Sequence, residues 1–192
     1  EIIRVPNATV KQVVNADPNQ IDLDPFFDAI DKATGDLITT SCGFLSPFQN
    51  ELEGICDVPF ISSSLRQLEH LKNIYTPPEL QIITFDAAKL GPTHLPIGCE
   101  AFNTSVCGLN SDAHLKSIIE NNITHIDISK ASADICAVVR ANKKNLTKGI
   151  LLECTNLPPY KSDIRRISDV PIYDILTAIE KELPDSVNPY FL

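Results

Sequence analysis

Two cysteines stand where a thiol can do chemistry. Cys42 follows the β-forming run DLITT (36–40), and Cys154 closes GILLEC (149–154). Polar and turn-forming residues come directly after each: Gly43 after the first, Thr155-Asn156 and then Pro158-Pro159 after the second. In open α/β sheets, groups at the carboxyl ends of strands line the crevice in which ligands bind. A thiol placed there and ahead of a helix start, whose free N–H groups favour anions, is expected to ionise below its free value of about 8.5. The chemistry on offer is that of a thiolate near neutral pH. A lone strand-end cysteine is more often a small buried hydrophobe, and what lifts this pair above that reading is repetition.

Laying TSCGFLSPFQNELEGICDVPF under LECTNLPPYKSDIRRISDVPI puts Cys42 on Cys154 without a gap. The offset of 112 residues also puts Leu45 on Leu157, Pro47 on Pro159, Phe48 on Tyr160, Ile55 on Ile167, and Asp57-Val58-Pro59 on Asp169-Val170-Pro171. Each copy reads as strand, cysteine turn, helix and a Val-Pro entry into the next strand, the signature of an internal repeat.

The surrounding elements alternate accordingly. Strand-like runs at 36–40, 58–63, 80–85, 149–154 and 170–173 are interleaved with helical patterns at 24–33, 64–74, 111–122, 129–145 and 174–183. Asp24 is the expected N-cap of the first helix, with Pro25 at N1. The order implies an α/β fold of two pseudo-symmetric lobes, each a mostly parallel sheet flanked by helices, with the active-site cleft between them. Lobe 1 is expected to hold residues 1–76 plus 174–192, and lobe 2 residues 77–173. Carrying the offset back from LQIITF at 80 places the matching strand about thirty residues before Glu1, so the first strand of lobe 1 is expected to be missing.

Composition narrows the function. With 192 residues, 43% of them hydrophobic, the chain is large enough for a substantial core. A net charge of -9 and the lack of any Lys/Arg cluster argue against nucleic acid. No apolar run reaches the roughly 18 to 20 residues of a membrane span, so the expectation is a soluble protein with no membrane partner. The six cysteines show no CxxC and no zinc-type spacing, which points to reduced thiols in a cytoplasmic protein and to no metal. Cys56, Cys99, Cys107 and Cys136 lack the strand-end setting and read as packing residues. Four sequons, at Asn7, Asn103, Asn122 and Asn145, matter only if the protein is secreted.

TTSCGFLSPFQ together with LECTNLPPY resembles the aspartate/glutamate racemase family, whose members include hydantoin racemases and need no cofactor. The resemblance covers nearly the whole chain. It implies an isomerase in which one thiolate removes the α-proton of an amino acid and the other thiol protonates the opposite face, with Cys42 and Cys154 as that pair. It also admits a homodimer. Such an enzyme must hold a carboxylate and stabilise a carbanion-like transition state, for which N–H groups and short hydroxyls at helix starts are suited. Thr40, Ser41, Gly43, Thr155 and Asn156 are the substrate-binding candidates, joined by Ser62 and Ser63, which read equally well as helix caps.

Some residues depart from the family pattern. Asn156 stands where many glutamate racemases have His, and no acid is found near a first strand to assist Cys42. His94, in Pro92-Thr93-His94, reads as a loop residue; Asp86 is placed either to contact substrate or to cap a helix, and the cap is the favoured reading. Glu153, beside a thiol, is a candidate proton partner, but alternation along the strand is expected to point it elsewhere. Superfamily decarboxylases and cis-trans isomerases of acidic substrates are the competing enzymes, and an amino-acid-binding module without turnover is the competing class. In every reading the ligand is a small amino or carboxylic acid.

Overall fold

In the computed structural model, which describes residues 1–192, the apolar run at 80–85 forms the strand Leu80–Thr84, all of it buried. It lies inside a four-stranded parallel sheet. The strands, in chain order, are β1 (Ile38–Thr39), β2 (Phe60–Ile61), β3 (Leu80–Thr84), β4 (Val106–Gly108), β5 (Gly149–Leu152) and β6 (Ile172–Tyr173). One sheet has the order β4-β3-β5-β6 and a separate two-stranded sheet pairs β1 with β2; every pairing is parallel. Interior parallel strands are covered on both faces, which is why β3 and β5 read as mostly apolar runs, broken in β3 by the buried Gln81 and Thr84, rather than as alternation.

The 112-residue offset recurs in the pairing. Ile38 faces Phe60 and Thr39 faces Ile61 in the small sheet, while Ile150 faces Ile172 and Leu151 faces Tyr173 in the large one. Ile38 N donates to Pro59 O and Ile150 N to Pro171 O, both at 2.9 Å. The helices Gln49–Glu53 and Lys161–Arg165 are separated by the same offset. Their first residues do matching work. Gln49 Nε2 donates to Phe60 O at 2.7 Å and its Oε1 accepts from Ser62 N at 2.9 Å, fixing the helix to the end of β2. Lys161 reaches Asp174, just beyond β6, as a 2.8 Å ion pair buried on both sides, close in distance although off the angle of a hydrogen bond.

The main core takes its residues from β3, β5 and the helix Ile128–Asn142, including Ile82, Ile83, Ile135, Val139, Ile150 and Leu151. A second cluster lies against the small sheet and gathers Phe26, Ile30, Leu45, Phe48, Leu52 and Phe60. The helix Ile175–Glu182, capped by Asp174, packs Ile175 and Ala178 onto Ile61 and Leu37.

Several sequence expectations need correction. The segment 64–74 is not one α-helix: a 3-10 turn, Ser64–Gln67, precedes a short helix, Leu68–Leu71. Asp24 is the first helical residue, not the cap, and the cap position is Leu23. β4 was not anticipated. His94 is wholly buried in a 3-10 turn rather than in an open loop; its Nδ1 accepts from Gly91 N at 3.1 Å and its Nε2 shares a 2.8 Å bond with Asn15 O. All six cysteines are unpaired, and no helix is long and apolar enough to cross a membrane.

Candidate functional site

Cys42 and Cys154 each sit just past a strand, one from each sheet, and the chain turns in the same way after both. Leu45 N donates to Cys42 O at 3.3 Å and Leu157 N to Cys154 O at 3.0 Å. Each sulfur also faces the amide two residues on, Phe44 for Cys42 and Asn156 for Cys154. Thr40 shapes the first turn, its hydroxyl donating to Ser62 O at 2.7 Å and accepting from Cys42 N at 3.3 Å.

Two cross-links hold the turns together. Thr155 Oγ1 donates to Ser41 O at 2.6 Å. The buried Ser64 hydroxyl reaches Leu152 O at 2.8 Å and Glu153 O at 3.2 Å. Together they join the carboxyl end of the small sheet to that of the large one.

Glu153 is not directed away from the thiols. Its amide extends the ladder by donating to Ile83 O at 2.8 Å, and its carboxylate lies over Gly43. A Cβ placed on Gly43 would sit 1.8 Å from Glu153 Oε1 and 2.6 Å from its Cδ, so only glycine fits beside Cys42 while that carboxylate is there. The side chain is 1% exposed, and neither oxygen has a hydrogen-bond partner. Burial pushes the carboxyl up to about 7, tempered by the nearby Thr84 hydroxyl, which stands close without reaching hydrogen-bond geometry.

This carboxylate reverses the expectation for the thiols. Burial first, and then the Glu153 charge, raise Cys154 to about 12, against the lowering effect of the Asn156 amide and side chain, whose Nδ2 lies 3.6 Å from the sulfur. Cys42 is held well above the ordinary thiol range by burial, by Glu153 and by Cys154, with the Phe44 amide opposing. The helix-start amides are present as expected. They are outweighed because desolvation and a like charge in a low-dielectric setting exceed the effect of one turn's N–H groups.

The structure therefore brings Cys42, Gly43, Glu153 and Cys154 together, with Ser41 and Asn156 exposed at the rim and Thr155 partly so. Thr40, Ser41 and Thr155 are engaged in holding the turns. Ser63 caps the following turn through Leu65 N at 3.1 Å, and the buried Ser62 hydroxyl has no partner. Asp86 accepts from Ala88 N at 3.2 Å and pairs with Lys116 at 3.4 Å. Glu153 is the site residue that sequence reasoning misses; its one signal is the glycine at 43, next to a cysteine at a helix start.

No family model matches the chain. Among curated proteins it is similar to a dimethylsulfoniopropionate lyase of Durusdinium sp. clade D, 29% identical over 175 residues that cover 81% of this chain and 55% of that protein. Dimethylsulfoniopropionate lyase 7 of Emiliania huxleyi (strain CCMP1516) is 26% identical over 172 residues, 80% of this chain and 49% of that protein. Dimethylsulfoniopropionate lyase 3 of the same organism is 27% identical over 173 residues, covering 80% and 43%. The chain is a distant homologue of these lyases and spans about half the length of the curated relatives it matches.

Proposed function

We propose that the chain carries the site of a cysteine-dependent enzyme that removes the proton next to a carboxylate and expels a group from the neighbouring carbon, with a β-sulfonio acid such as dimethylsulfoniopropionate as substrate. The observation that carries this reading is the cluster of two thiols and one buried carboxylate at adjoining strand ends. In the reaction, a thiolate takes the α-proton. The C–H electron pair becomes the new carbon–carbon double bond, and the Cβ–S bond breaks with its electrons leaving on neutral dimethyl sulfide. Acrylate and a thiol remain, and the thiol returns its proton to solvent through the site. The relatives' names supply the leaving group; the racemase resemblance supplies the same first step, abstraction of an α-proton by a cysteine.

Racemisation of an amino acid is the second reading. It is favoured by one observation: the offset of 112 residues relates the two thiols, their amide partners and the strands that end at them. A two-base mechanism needs such a pair on opposite faces of one carbon. The offset even takes one cross-contact to the other, since Ser41–Thr155 maps onto Glu153–Gly43. The two ends of that mapping differ, however, in placing a carboxylate on one side alone.

The deciding experiment incubates the protein with dimethylsulfoniopropionate in D₂O and, separately, with a panel of D- and L-amino acids. Equimolar dimethyl sulfide and acrylate is the expected outcome. Amino-acid α-deuteration with inversion, and no dimethyl sulfide, would overturn the lyase reading in favour of the racemase.

A further inference from the structure

Glu153 is a buried acid beside two thiols, Cys154 buried and Cys42 partly so, and the proton transfers proposed above assign it no role. Its carboxylate lies against the residue after Cys42 and belongs to the residue before Cys154. Both oxygens lack partners, which leaves their lone pairs open to a proton. The groups acting on it are its burial and the Thr84 hydroxyl; two residues further along, Asp86 is already paired with Lys116. No Lys, Arg or His offsets its charge. An uncompensated carboxylate in this position raises the cost of ionising either thiol, so two anions in the cluster exclude one another.

We propose that Glu153 confines the cluster to a single negative charge, which rests on the carboxylate and appears on Cys42 or Cys154 only when that thiol's proton passes to Glu153. The step is balanced: one S–H bond breaks, one O–H bond forms, and the net charge of the cluster is unchanged. Glu153 thus acts through the thiols and not on the substrate. The device keeps one thiol protonated whenever the other is a thiolate, and it serves elimination or racemisation alike. As a contribution to catalysis it rests on the function proposed above.

The test reads the thiols without substrate. Iodoacetamide alkylation of Cys42 and Cys154 is followed by peptide mass spectrometry from pH 5 to 10 in the wild-type protein and in Glu153→Gln. Because the wild-type thiolate arises at constant charge, its reactivity should level off once Glu153 has ionised, above about pH 7. In Glu153→Gln no such ceiling exists, and reactivity should keep rising by about tenfold per pH unit, exceeding wild type at least tenfold at pH 9. Superimposable profiles would overturn the proposal, and they would do so whatever reaction the site performs. Distinct profiles without dimethyl sulfide release would sink only the assigned reaction. If Glu153→Gln does not fold, carboxyl-¹³C glutamate spectra of the wild-type protein decide the matter: one resonance titrating near neutrality supports the proposal, and titration of every glutamate in the ordinary range ends it.

Discussion

Replacing Glu153 with Gln should change how stability depends on pH, in a direction set by the burial of its carboxyl. Its carboxyl stands at about 7 against an ordinary 4.5, so the folded chain holds that proton more tightly than the unfolded chain does. A raised carboxyl favours the folded state fully below 4.5 and loses that advantage as pH rises through about 7. At about 1.4 kcal/mol per pH unit of displacement, the loss comes to roughly 3 kcal/mol between pH 4.5 and 8. Glutamine has the shape of the protonated acid and cannot ionise. The variant should therefore match wild type near pH 4.5 and exceed it by about 3 kcal/mol at pH 8, or roughly 6 to 12 °C in Tm for a chain of this size. Thermal melts of both proteins at half-unit steps would show it, and subtracting one curve from the other removes the slopes of all other carboxylates. A difference that stays constant across this range would refute the reasoning, since it would mean that Glu153 is already ionised or solvated in the folded state.

Cys42→Ser and Cys154→Ser should separate the two reactions: elimination needs one base, so one variant should lose at least about a hundredfold in dimethyl sulfide release and the other much less, whereas racemisation should fail in both. If both variants keep near wild-type turnover, neither thiol is the base. Thr155→Val removes the 2.6 Å bond to Ser41 O and should cost about 1 kcal/mol, read as a Tm decrease of about 2 to 4 °C; an unchanged Tm would show that the link contributes nothing. Asp174→Asn leaves the Lys161 ammonium buried without its partner and should cost about 3 to 5 kcal/mol by urea unfolding, with much of the loss recovered in Lys161→Met/Asp174→Leu.

The sequence displays what is local and repeated. β3 and β5 are legible because interior parallel strands are buried at every position and rich in Ile and Leu, and the offset found by alignment recurs in the strand register. β4 is not legible: Val106-Cys107-Gly108 is three half-buried residues at a sheet edge, too short for any period to show. The two cysteine turns could be placed at strand ends from pattern alone. The state of their thiols could not, because it depends on a carboxylate brought over Gly43 from 110 positions away. Alternation failed at Glu153 for a physical reason. The strand ends at Leu152, and beyond that point the side chain's direction is set by what room it finds, which here is the space left by a missing Cβ.

That space also constrains how the chain can diverge. Gly43 and Glu153 occupy the same volume: any side chain at 43 meets the carboxylate within 1.8 Å, and the carbonyl of residue 153 at 2.9 Å. The backbone contact remains whatever side chain residue 153 carries, so the constraint on position 43 belongs to the turn as well as to the acid. Shortening residue 153 opens a small void but does not free position 43, because a Cβ there still meets the carbonyl at 2.9 Å, nearer than a Cβ approaches backbone. A change at 43 must displace both the buried carboxylate and that carbonyl. Sequences that keep both cysteine turns should therefore keep glycine after the first cysteine even where residue 153 has shortened, and the acid is the position free to vary first.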